Sequence, residues 1–245
     1  MGVKSLRSIA VAGVAAGIAL AVLPAMASGA VATTNTANHV ISHTKSVSQS
    51  SNWSGYAKTG TFTTATGHWT VPTVSGTGRH FSSQWVGIDG FSNSNLIQTG
   101  TEADVVNGRA TYDAWWEILP AAETVITTIA VHPGDSFTGT VAKVSGTTWK
   151  ITLTNNTTGA SFTSNKTYRG AGTSAEWIEE ATSVGGVIGA PPRFSTFSFT
   201  GLTANGANPN LTTAQEILLV QGSTTYSTPS APSGGNSFSV TYTGP

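Results

Sequence analysis

Three short stretches of this 245-residue chain hold side chains that could move protons or grip a polar substrate. The first is Gln84-Trp-Val-Gly-Ile-Asp-Gly90, continuing to Leu96-Ile-Gln-Thr-Gly100. The second is Tyr112-Asp-Ala-Trp-Trp-Glu117, and the third is Ser174-Ala-Glu-Trp-Ile-Glu-Glu180. Charged residues make up only 9% of the chain, so carboxylates gathered in a few segments carry information. All eleven acidic residues lie between Asp89 and Glu216.

Other chemistries lack their residues. There is no cysteine, which excludes a thiol nucleophile. No G-x-S-x-G elbow, zinc-protease helix motif or phosphate loop occurs. His39 and His43 have a four-residue spacing but no glutamate beside them. No metal and no cofactor is expected. Carboxylates, amides and aromatics remain for acid–base work.

These stretches must sit on strands. Beyond Asn52 the chain is rich in Gly, Thr and Ser, with β-branched and aromatic residues at period two. Such runs are Phe62 to Val71, Gln84 to Ile88, Thr111 to Ile118, Thr124 to Val131, Trp149 to Leu153, Phe194 to Phe199 and Phe238 to Tyr242. Turn signals separate them at Pro133-Gly134-Asp135, Asn155-Asn156, Asn205-Gly206 and Ser233-Gly234-Gly235. The expected fold is all-β, a sandwich or barrel of many short strands. Alternation then sorts the side chains by face. Trp85, Gly87 and Asp89 share one face, with Val86 and Ile88 opposite as core. Asp113, Trp115 and Glu117 share a face, as do Glu176, Ile178 and Glu180. Taken singly, such tryptophans are usually core or cleft wall, and such carboxylates are usually solvated. Together they suit a groove in which aromatics pack a substrate and carboxylates bond to it.

The N-terminus reads as export machinery. Lys4 and Arg7 precede an apolar run from Ile9 to Leu23, and Ala25-Met-Ala27 closes it. That is the order of a secretory signal peptide over residues 1–27, too short for an anchor. Residues 28–51 read as a flexible leader or short propeptide, and 52–245 as one domain. Loss of Lys4 and Arg7 leaves nine basic against eleven acidic residues, a formal charge of −2. No basic stripe exists, so nucleic acid is not an expected partner. The product is expected outside the cell, free of the membrane and monomeric.

The motifs resemble those of the glutamic peptidases, or eqolisins. Asn52-Trp-Ser-Gly55, Trp85-Val-Gly-Ile-Asp-Gly90, Leu96-Ile-Gln-Thr-Gly100, Tyr112-Asp-Ala-Trp-Trp-Glu117, Pro133-Gly-Asp135 and Ala175-Glu-Trp-Ile-Glu-Glu180 follow in family order. The resemblance spans Asn52 to about Thr200. It implies a concanavalin A-like jelly-roll sandwich of two antiparallel sheets, with the site on the concave one. It also implies that Gln98 and Glu176 are the catalytic pair of a pepstatin-insensitive acid endopeptidase acting on polypeptides. Trp85, Asp89, Asp113, Trp115, Glu117 and Glu180 would line the cleft, and Glu102 falls where relatives often carry an acidic residue. The familiar fungal members usually contain disulfides and are strongly acidic, whereas this chain has no cysteine and is near neutral.

Residue chemistry alone leaves two rivals. A glycoside hydrolase would pair Glu117 with Glu176 and stack sugars on Trp85 and Trp115. A non-catalytic carbohydrate-binding module would use the same face without turnover.

Overall fold

The computed structural model describes residues 41–42 and 48–245, with side chains from residue 48 onward. The expected signal segment lies outside the described residues. The expected leader enters them at Ile41–Ser42 and Ser48–Ser50, two short strands that pair with each other. The longer strands are β1 (Trp53–Thr59), β2 (Thr64–Thr70), β3 (Ser82–Ile88), β4 (Ile97–Val106), β5 (Arg109–Ile118), β6 (Ser136–Ser145) and β7 (Thr148–Asn155). They continue with β8 (Ser161–Thr167), β9 (Ser174–Ala181), β10 (Phe197–Ala204), β11 (Glu216–Gln221), β12 (Thr224–Pro229) and β13 (Phe238–Tyr242). Among the described residues the only helical element is a single 3-10 turn, Thr213–Gln215.

Two runs of antiparallel pairings organise these strands. The first runs β5–β4–β3–β9–β1–β11. The second runs β8–β7–β6–β2–β10–β13–β12. Pairing of β12 with β11 joins them into one large sheet. Ser48–Ser50 adds to β11 in parallel.

Burial follows from position. On β2 and β7 buried residues alternate with partly or fully exposed ones, the mark of strands with one face inward. On β3 and β9 every residue is buried, so both faces are covered. One face meets the large core, where Val86, Ile88 and Trp177 join Trp69, Phe137 and Phe199 of the second run. Gly139 on β6 makes the close approach possible: a Cβ there would stand 2.7 Å from Val86 Cγ1 and 2.9 Å from the Trp69 ring. The other face carries a second apolar cluster of Trp53, Ala57, Trp85, Leu96, Trp115, Ile178 and Ile217.

The strand expectations need two corrections. Thr124 to Val131 is a strand only at Thr124–Val125. Ile126, Ile129 and Val131 fill the core from a loop, so apolar content there reflects burial rather than pleating. Phe194 to Phe199 is broken, with Arg193–Phe194 and β10 as separate strands.

Candidate active site

Register assembles the site. Across the first run, Ala57, Glu176, Gly87, Gln98 and Glu117 stand opposite one another in one row. The next row on that face is Gly55, Ile178, Trp85, Gly100 and Trp115. The third is Trp53, Glu180, Ser83, Glu102 and Asp113. Three distant segments thereby place Glu176 and Gln98 two strands apart, about 10 Å between backbones at the usual spacing. The residue between them, Gly87, has no side chain. A Cβ there would lie 2.9 Å from Trp85 Cζ3, 3.1 Å from Leu96 Cδ1 and 3.3 Å from Gln98 Cβ.

Glu176 is fully buried, and among the described residues neither carboxylate oxygen has a hydrogen-bond partner. Burial pushes it well above the ordinary carboxylate range. The Ser174 hydroxyl favours the charged form without reaching hydrogen-bond geometry, and the Asp89 charge adds to the rise. Gln98 is also buried. Its Nε2 donates to Glu117 Oε2 at 2.7 Å, while Oε1 has no partner among the described residues. Trp115 Nε1 is a fourth buried polar atom in that condition. Buried polar atoms are nearly always satisfied, so four such atoms, on three residues of one face, mark a candidate place to receive a polar ligand.

Carboxylates surround this row. Burial raises Glu117 to about 7, against the Gln98 hydrogen bond and with the Glu123 charge. Glu180 is pushed up to about 8, by burial first and then by Glu117. Its two oxygens accept from Asn52 Nδ2 at 2.9 Å and Trp85 Nε1 at 2.8 Å. Asn52 is wholly buried, so the Asn52-Trp-Ser54 triplet cannot carry a glycan in the folded chain. Glu102 is held high by burial and by Asp104, Glu123 and Asp113. A narrow cleft reaches the row, lined by Ser83, Gln98, Trp115, Glu117, Glu123, Glu180 and Thr182.

The expected site residues divide accordingly. Gln98, Glu176, Glu117, Trp85, Trp115, Glu180 and Glu102 share this face, and Asp113 stands exposed at its margin. Asp89 does not open onto the cleft. The chain turns at this residue, with φ of 69°. Its carboxylate accepts from Tyr168 Oη at 2.6 Å, Gly172 N at 2.9 Å, Thr173 N at 2.7 Å, Thr173 Oγ1 at 2.9 Å and Asn93 Nδ2 at 2.9 Å. Burial alone would raise it, but these bonds outweigh burial and hold it below its usual value. Asp89 thus anchors the loop that leads into β9 and Glu176.

Three cleft residues escaped the sequence reading. Ser83 and Thr182 were accessible to it, two residues from Trp85 and Glu180 respectively. Glu123 was not, because it sits between strands where no alternation applies. Among the described residues, no group of three or more His, Asp or Glu is placed to hold a metal ion. No helix among them is long and apolar enough to cross a membrane.

Comparison with known proteins adds to this geometry. Residues 51–242 match the model of the peptidase A4 family. Aspergillopepsin-2 of Aspergillus niger is 33% identical over 183 residues, covering 63% of this chain and 64% of that protein. The chain thus spans just under two thirds of that relative's length. Scytalidopepsin B of Scytalidium lignicola is 33% identical over 187 residues, 70% of each chain. The crystal structure of scytalido-glutamic peptidase with a transition state analog inhibitor superimposes with a TM-score of 0.67 at 26% identity. That match covers 78% of this chain and 98% of the other.

Proposed function

Because the chain belongs to the peptidase A4 family, the glutamic peptidases, hydrolases that act on peptide bonds, we propose that it is a secreted endopeptidase in which Glu176 moves the protons and Gln98 holds the developing charge. The observation that carries this is the row Glu176–Gly87–Gln98. One unpartnered carboxylate and one part-free amide flank a position without a side chain.

In this reading a scissile carbonyl and a water come to lie between these two groups. Glu176 as carboxylate takes a proton from the water while the water oxygen attacks the carbonyl carbon. Negative charge then gathers on the carbonyl oxygen. The Gln98 amide, uncharged at any working pH, donates N–H to it. Protonated Glu176 next gives its proton to the leaving amine as the C–N bond breaks. One carboxylate serves as base and then acid, and Asp89 fixes the loop that holds it. Trp85, Trp115, Glu102, Glu117, Glu180 and, from the margin, Asp113 form the walls that meet the peptide.

Glu176 works only when ionised at the start of the cycle. Its raised pKa moves the acid limb of the activity profile up from the ordinary glutamate value. We take the optimum to be mildly acidic, as the family resemblance implies. We read the two strand runs as the sheets of a concanavalin A-like jelly roll with the site on the concave one. We read the enzyme as a cofactor-free monomer, exported with loss of residues 1–27 and independent of membrane and nucleic acid.

The glycoside hydrolase alternative needs Glu117 and Glu176 as a facing pair. Gln98 stands between them in the row and occupies Glu117 Oε2, which favours the peptidase. The test is casein digestion at mildly acid pH with pepstatin present. Activity that resists pepstatin and vanishes in Glu176→Gln is expected. Polysaccharide cleavage that survives Gln98→Ala would overturn the reading.

A further inference from the structure

Glu117 carries an unexplained feature of the row. Its carboxylate is buried beside the one side chain whose orientation the chemistry depends on. Gln98 can present either end of its amide. An ionised carboxylate accepts and cannot donate, so it draws the amide nitrogen toward itself. That is the observed arrangement, with Nε2 at 2.7 Å from Glu117 Oε2. One of the two N–H groups is then spent on Glu117, and Oε1 is left buried without a partner. A neutral carboxyl has an O–H to give. It can donate to Gln98 Oε1, satisfy that orphaned oxygen and release both N–H groups to the other side.

We infer that Glu117 is a positioning residue whose protonation selects which end of the Gln98 amide faces the substrate. Neutral Glu117 turns the donors toward the carbonyl oxygen; ionised Glu117 withdraws them. The inference rests on the peptidase reading of Gln98. The surroundings support it. The titratable groups facing Glu117 are Glu123 from the loop after β5 and Glu180 from β9. Burial and the Glu123 charge favour the neutral form of Glu117, whose own charge in turn pushes Glu180 higher still. The switch therefore operates near neutrality, where Glu117 ionises at about 7. It would close the alkaline side of the activity profile.

The experiment compares wild type with Glu117→Gln, which keeps the shape, removes the charge and can donate to Gln98 Oε1. Initial rates are taken across pH only where melting curves show both proteins folded. The alkaline limb of kcat is expected to move up by about one pH unit or more in the variant. In parallel, the Gln98 side-chain amide resonances, assigned by their loss in Gln98→Ala, are followed by ¹⁵N NMR. They should titrate with Glu117 in wild type and stay flat in Glu117→Gln. Superimposable alkaline limbs, or Gln98 resonances indifferent to pH in wild type, overturn the inference. If Glu117→Gln does not fold, the wild-type titration alone decides. If wild type digests no protein, the peptidase reading falls while the resonances still report on the switch. If it digests protein and the resonances do not move, only the switch falls.

Discussion

At the scale of single residues, three side chains carry separable consequences. Glu176→Gln keeps volume and removes the proposed base, so kcat should fall on the order of a thousandfold. Because burial opposes ionisation at this position, the variant should melt no lower than wild type at neutral pH. Gln98→Ala removes the proposed donor and should lose roughly a hundredfold to a thousandfold in kcat, measured on the same peptide. Asp89 works by a different route. It accepts hydrogen bonds from four residues around the loop at Gly172 and Thr173. Asp89→Asn cannot accept from all of them and should cost about 1–3 kcal/mol of stability in denaturant titration. Its folded pKa is lowered, so its contribution is present above the unfolded value and lost as pH falls through the folded one.

At the scale of elements, the site depends on β3 lying between β9 and β4 with a glycine in the row. Gly87→Ala would press on Trp85, Leu96 and Gln98 at once. The rings and Leu96 belong to a packed cluster, so they yield only by repacking. Gly87→Val adds more bulk against the same neighbours, between Glu176 and Gln98. Activity is expected to fall steeply from Gly to Ala to Val, while far-UV circular dichroism stays that of a β protein. A Gly87→Val enzyme with normal kcat/KM would remove any need for glycine in the row from the mechanism. Alternation along β5 explains why Trp115 and Trp116 part company. Trp115 joins the cleft, whereas Trp116 on the opposite face stacks under Lys166 Nζ at 3.9 Å.

At the scale of the whole molecule, carboxyl burial ties stability to pH. Glu102, Asp104, Glu117, Glu176, Glu179 and Glu180 all have folded pKa values above their ordinary ones. A raised acid binds its proton more tightly in the fold than in the unfolded chain. Its contribution is present in full below the unfolded value, near 4.5 for the glutamates, and is lost as pH rises through the folded value. Melting temperature should therefore fall between pH 4.5 and pH 8, by at least about 10 °C given how many groups act together. Glu179 makes the point separately from catalysis. It points into the main core, where Gln84 Nε2 donates to Oε2 at 2.6 Å and Oε1 has no partner among the described residues. Glu179→Gln should raise the melting temperature at pH 8 more than at pH 4.5, with kcat unchanged.

Alternation along single strands already separated Val86 and Ile88 from Trp85 and Gly87, and placed Asp113, Trp115 and Glu117 on one face. That much is local, because a pleated backbone alternates whatever its neighbours are. The choice of Gln98 and Glu176 among many acids and amides came from motif resemblance rather than from periodicity. Tertiary structure decided what periodicity could not. Register between segments far apart in sequence put Glu176, Gly87, Gln98 and Glu117 in one row. It turned Asp89 away to bind a loop eighty residues later and brought Glu123 into the cleft from outside any strand. The division has a physical reason. Which face a side chain takes is set by its own dihedral angles, whereas what it faces is set by which strands pair and in what register.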